Sequence, residues 1–223
     1  VYLLTKLWLT IFIIFYPFQM AAKSITVGIP NYKPIAFQQK NGNITGIMPE
    51  LLQKIAEKEG WHFTWIVKPW PDLLEMLDRN QPDLMTSITL SPERADRFNF
   101  TRESVIMLWT QVFQSKGGQV DNVLDLKNKT IAVVRDDING RNIRHLVEQF
   151  KIAVTIVEKK NYHEVCTLVI NGNADVLAMP SILAPNYLQQ FNLHPTPIMI
   201  NPSATHFAAP KGRNQEVLDT LDR

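Results

Sequence analysis

The order in which hydrophobic periodicity changes along the chain constrains its fold most. Ile25 to Ile29 alternates as a strand, and Leu51, Leu52, Ile55 and Ala56 then recur as one apolar stripe of a helix. Pro49 is expected at the first position of that helix and Gly60 just past its end. Trp61, Phe63, Trp65 and Val67 return to a period of two. A second helix follows over about Pro71 to Arg79, with Leu73, Leu74 and Leu77 inward, and Asp83 to Thr89 reads as a third strand. Strand alternating with helix predicts an α/β fold. Asn41-Gly42 between Phe37 and Ile44 adds a hairpin signal inside the first unit.

The same grammar recurs downstream. Thr130 to Val134, Ile152 to Val157 and Asp175 to Met179 read as strands, with helices over Asn139 to Phe150 and Tyr162 to Ile170 between them. Val105 to Phe113 is apolar enough for a buried strand, and Gly117-Gly118 offers the freedom a crossover needs. Pro202 to Ala209 is extended again. Asn214 to Arg223 begins a helix that neither glycine nor proline ends, so the native product is expected to continue past residue 223.

Thr86-Ser87-Ile88-Thr89-Leu90-Ser91-Pro92-Glu93-Arg94 carries the chemistry. A strand presents Ser87 and Thr89 on one face, and the Ser-Pro turn can bring Arg94 back beside them. A planar guanidinium matches a carboxylate bidentately, and nearby hydroxyls can fill its remaining lone pairs. Tyr32, in Pro30-Asn-Tyr-Lys-Pro34, and Trp70, between Pro69 and Pro71, sit in loop contexts at strand ends, where ligands of open α/β sheets bind.

Bulk properties exclude more than they assign. The 223 residues, 45% hydrophobic and 20% charged, suffice for a globular core, and a net charge of +2 with scattered cations argues against nucleic acid as a partner. Lys6 followed by the apolar run Leu7 to Tyr16 and a break at Pro17 reads as a secretory signal, since about a dozen apolar residues fall short of the ~20 that span a bilayer. The single cysteine, Cys166, cannot form an intrachain disulfide and falls in a helical apolar pattern as a small core residue. His62, His145, His163, His194 and His206 are scattered without zinc spacing, so no metal and no cofactor is expected.

Ile25-Thr-Val-Gly-Ile-Pro-Asn-Tyr-Lys-Pro, the helix after Gly46, Asp83 through Arg94 and Gly172-Asn-Ala-Asp together resemble the family 3 extracellular solute-binding proteins. That resemblance implies the type 2 periplasmic-binding fold, two α/β lobes joined by two crossover segments that close around a small polar ligand. It divides the chain into a signal peptide or N-terminal anchor at 1–22, a first lobe at 23–114, a second at 115–202 and a return to the first at 203–223, with the hinge near Gly117 and Pro202. It also implies that Ser87, Thr89 and Arg94 hold a ligand carboxylate while Tyr32 and Trp70 wall the side-chain pocket. The expected ligand is thus a small-molecule carboxylate, amino-acid-like, bound in the periplasm. The expected partner is a membrane transporter, or fused membrane signalling domains of a histidine kinase or diguanylate cyclase.

Two positions depart from the family pattern. Pro180 stands where amino-acid binders usually place an acid for the ligand's ammonium, and Arg135-Asp136-Asp137-Ile138 replaces a segment rich in glycine and threonine. Asp137 is expected to cap the following helix, or Asp136 or Asp137 to replace the missing acid. Similar lobes occur in a dehydratase and as non-catalytic modules of lytic transglycosylases. No nucleophile elbow or phosphate loop is present, so the chain is read as a binding module and not an enzyme.

Overall fold

The computed structural model describes residues 22–223, the Asn201 side chain excepted. The expected leader therefore lies, but for its last residue, outside the described residues. Strand β1 (Lys23–Ile29) is followed by a small hairpin of β2 (Phe37–Gln38) and β3 (Ile44–Thr45), then helix α1 (Ile47–Glu59), β4 (Trp61–Val67), α2 (Trp70–Asp78) and β5 (Leu84–Thr89). A short helix α3 (Pro92–Arg97) and β6 (Phe98–Phe100) lead into β7 (Ile106–Ser115). The second run comprises β8 (Thr130–Val134), α4 (Ile138–Gln149), β9 (Thr155–Lys159), α5 (Tyr162–Ile170) and β10 (Val176–Pro180). Helix α6 (Ala184–Phe191), the long strand β11 (Leu193–Pro210) and α7 (Gln215–Leu221) complete the chain.

Both runs have one topology. Parallel β1 lies between β4 and β5, and parallel β8 lies between β9 and β10. The two halves join through an antiparallel pair, β7 with β11, so the sheet runs β4-β1-β5-β11-β7-β10-β8-β9, with β6 on β11. Two α/β lobes thus share one strand pair. β11 lies against β5 of the first lobe at Thr205 and His206, while β7 meets β10 of the second at Thr110 to Gln114.

Several expectations shift. Helix α1 starts at Ile47, so Pro49 is its third residue, and Gly60 closes it at φ 68 in the left-handed conformation glycine tolerates. The buried strand expected over Val105 to Phe113 is exposed at Met107 and Trp109 and becomes buried only from Thr110, because its first half crosses between lobes with one face uncovered. Gly117-Gly118 lies beyond the last residue of β7, past the stretch already paired with the second lobe. The β9 strand begins at Thr155 rather than Ile152.

Packing explains the composition of the inner strands. Ile131 and Val133 face one core with Ile143 and Val147 of α4, while Ala132 and Val134 face the other with Val165 and Val169 of α5. A strand buried on both faces needs apolar residues throughout. Gly28 in β1 has its own reason: a Cβ there would stand 2.6 Å from Pro82 Cγ and 3.0 Å from the Leu73 side chain of α2. Cys166 is fully buried in the core, and burial pushes its thiol up to about 12.

Candidate functional site

The two lobes turn the carboxyl ends of their parallel strands toward one cavity. Pro30 and Tyr32 follow β1, Trp70 opens α2 after β4, and Ser87, Thr89 and Arg94 come from the end of β5 and from α3. The second lobe answers with Asp137, Ile138 and Asn139 where β8 passes into α4, and with Pro180 at the end of β10. This is the region where loops and helix N-termini of open sheets converge. The cavity is small, about 40 Å³, room for roughly three water molecules.

Arg94 is the buried cation of the site. Ser91 caps α3 by accepting the Arg94 backbone N–H at 3.3 Å, and Pro92 fills the first helical position, so the expected turn is a six-residue helix that aims the arginine inward. The side chain is fully buried. Nη1 donates to the Thr89 carbonyl at 3.0 Å and Nη2 to the Asp136 carbonyl at 2.7 Å, while the guanidinium lies 5.5 Å from the Trp70 ring centre. Nε is buried without a partner. Two of the five guanidinium N–H donors are therefore engaged, leaving Nε and part of the terminal fork for an acceptor. Burial pushes the Arg94 pKa down to about 10, opposed by the nearby Asp137 charge, so the group stays cationic at neutral pH.

The hydroxyls arrive by a different device from simple alternation. Opposite β11, Ile88 pairs with His206 and Met85 with Ala208, so Thr86 and Ser87 face the single residue Phe207. Ser87 sits at φ 59, a conformation uncommon outside glycine. This is a β-bulge, which re-aims side chains at strand ends. Ser87 and Thr89 both line the cavity, and Ser87 Oγ and Thr86 Oγ1 are buried without partners.

The two acids have separate environments. Asp136, at φ 59, turns its side chain outward, 56% exposed beside Arg135, and contributes only its carbonyl, which accepts from both Arg94 and Trp70 Nε1. The carboxylate itself does not line the cavity. Asp137 is 7% exposed and does line it. Its Oδ1 accepts from Asn139 N at 3.0 Å and Asn139 Nδ2 at 2.7 Å, which caps α4, and its Oδ2 accepts the Tyr162 hydroxyl. Asn139 Oδ1 in turn accepts from Thr110 Oγ1 at 2.6 Å, tying the cap to β7.

Tyr32 and Trp70 are both walls. The Tyr32 ring packs 5.1 Å from Tyr162, and its hydroxyl is buried without a partner. Burial and then the Asp137 charge raise both phenols well above the ordinary tyrosine value. Trp70 Nε1 reaches across the cleft to the Asp136 carbonyl at 3.1 Å. Asn139, Leu108 and Thr205 also line the cavity, and Tyr162 braces its acid from beneath. Sequence reading passed over these four, because Asn139 and Tyr162 read as a helix start and Leu108 and Thr205 as plain strand.

Fold and cavity together define a two-lobed ligand-binding protein of the type 2 periplasmic-binding architecture. The chain belongs to the bacterial extracellular solute-binding proteins, family 3, whose family model matches residues 25–215. It is 25% identical over 167 residues to the amino-acid-binding protein AabA of Dichelobacter nodosus, covering 74% of this chain and 65% of that relative's length. An ancestral arginine-binding protein bound to arginine shares the fold with a TM-score of 0.79 at 19% identity, covering 89% of each chain. A histidine kinase sensor domain with similarity to periplasmic binding proteins does so with a TM-score of 0.78 at 22% identity, over 90% of this chain and 88% of that one. Among the described residues no helix is long and apolar enough to cross a membrane.

Proposed function

We propose that this chain binds a small polar solute carrying a carboxylate outside the cytoplasm, in the periplasm, and that closure of its lobes over the ligand is its output. Arg94, Ser87 and Thr89 take the carboxylate, and Tyr32 and Trp70 wall the rest. The observation that carries this reading is Arg94, fully buried at the cavity with its Nε unpartnered. A buried guanidinium keeps such a position at a cost unless an anion meets it. The similarity to an amino-acid-binding protein favours an amino-acid-like ligand. Residues 23–114 and 203–223 form the first lobe and 115–202 the second, with the hinge in the part of β7 and β11 between the two lobe sheets.

A transporter is the partner that the family favours, and the likeness to a sensor domain supports a second reading, in which closure is passed to a fused signalling domain. The sequence encoded after residue 223 separates the two. Ligand binding is tested by a thermal-shift screen of amino acids, amines and small organic acids, followed by calorimetry on Arg94→Ala. The substitution is expected to weaken carboxylate binding by about ten- to a few hundred-fold with the fold intact, as loss of charge-assisted hydrogen bonds requires. Unchanged affinity would refute the role of Arg94.

A further inference from the structure

The cavity carries a buried anion that helix capping alone does not require. Asp137 is 7% exposed and stands across the cleft from the lobe that supplies Arg94. An ionised carboxylate offers about four lone-pair positions. Three are filled, two on Oδ1 by Asn139 and one on Oδ2 by Tyr162. One position on Oδ2 is left, together with the full charge. Asparagine caps a helix about as well as aspartate, so the charge has no necessary part in starting α4. Opposite charges thus come to one small cavity from opposite lobes, Arg94 from the first and Asp137 from the second. Between them the walls at Ile35, Leu108 and Pro180 are apolar and offer no third charge.

The space sets the size. A cavity of about 40 Å³ cannot take a long side chain with the lobes in this position. Tyr32, Trp70 and Pro180 close it on three sides. The lobes themselves are held together by Arg141 Nη1 on Glu93 at 2.5 Å and by Asn186 Nδ2 on the Lys33 carbonyl at 2.9 Å, so the small volume belongs to a closed arrangement.

We propose that the ligand is a short zwitterion, an amino acid with little or no side chain, whose ammonium is held by Asp137 while Arg94 holds its carboxylate. This rests on the carboxylate reading above and adds the second pole and the size. Closure follows from the same geometry, since a ligand carrying both charges bridges the lobes, whereas a simple acid satisfies only the first.

The test is calorimetry of the purified chain with glycine, L-alanine, propionate and L-arginine. L-Alanine is expected to bind about ten- to a hundredfold more tightly than propionate, which differs from it only in lacking the amine, and L-arginine more weakly than L-alanine. In Asp137→Asn, or in Asp137→Ser as a second capping variant, the preference for alanine over propionate is expected to fall at least tenfold, read in whichever variant keeps the wild-type melting temperature. Equal binding of alanine and propionate by the wild type would overturn the proposal without any variant, as would an unchanged preference in the variants or tighter binding of arginine. In each of those cases carboxylate binding itself survives. If none of the four compounds bound, the proposed function would fall with it.

Discussion

At the scale of single residues, the site turns on one arginine whose burial has a measurable sign. Burial lowers the Arg94 pKa to about 10, so the native state releases this proton more readily than the unfolded chain does. The charged form therefore costs the free protein stability below about pH 10, and that cost disappears as pH rises through 10. Binding of a simple carboxylic acid is accordingly expected to stay level between pH 6 and 9 and to fall away above about 10, checked by calorimetry across that range. An unchanged affinity at pH 11 would mean that the anion does not meet Arg94. The residue types at Ser87, Thr89, Arg94, Tyr32 and Trp70 were legible because each sits in a local pattern with a chemical reason. Asp136 and Asp137 were not separable by sequence. They are neighbours in the chain, and only the backbone at Asp136, φ 59, sends one side chain out and the other in.

Among the elements, strand order explains why a residue outside the cavity matters. Asp83, just before β5, accepts the Thr26 backbone N–H at 2.9 Å and the Thr26 hydroxyl at 2.6 Å, while its carbonyl accepts from Asn214 Nδ2 at 3.0 Å. One residue thereby ties β1, β5 and the start of α7. Burial opposes its charge, but the hydrogen bonds from Thr26 outweigh it and its pKa is lowered. A depressed carboxylate stabilises above its unfolded pKa of about 3.9, and this is lost as pH falls through the folded value. Asp83→Ala is expected to cost about 1 kcal/mol at pH 7, modest because the carboxylate is largely solvated. The gap from wild type should close below pH 4 in urea melts; a gap independent of pH would contradict the role given to the charge. The strands and the longer helices were readable from period alone. The helices α3 and α6 were not, since each is short and opens on a proline-containing turn, with Pro92 and Pro185 near their first positions.

For the whole molecule, closure is held by contacts no local pattern specifies. Arg141 of α4 forms a two-pronged pair with Glu93 of α3, at 2.5 and 3.1 Å, and Lys160 reaches Asp72 of α2 at 3.4 Å. Both pairs are partly exposed, with Arg141 at 32% and Glu93 at 58%, so each contributes at most about 1 kcal/mol and is screened by salt. Arg141→Ala is expected to weaken ligand binding by about twofold to fivefold at low ionic strength, and high salt should shrink that difference, as titrations at two salt concentrations would show. A loss much greater than this, insensitive to salt, would mean that Arg141 touches the ligand. The sequence by itself determined the α/β grammar, its repetition and the carboxylate-binding residue types, because these follow from periodicities of two and 3.6 and from side-chain chemistry over a few neighbouring positions. It misplaced the expected crossing at Gly117-Gly118, since no local signal marks where β7 leaves one sheet for the other. Tertiary structure alone decided that Asp137 and Tyr162, 25 residues apart, meet beneath a cavity with Arg94. It also decided that the Asp136 carbonyl bridges to the opposite lobe. The physical reason is that these contacts depend on how two lobes, each folded by its own pattern, are set against each other by the single strand pair β7 and β11.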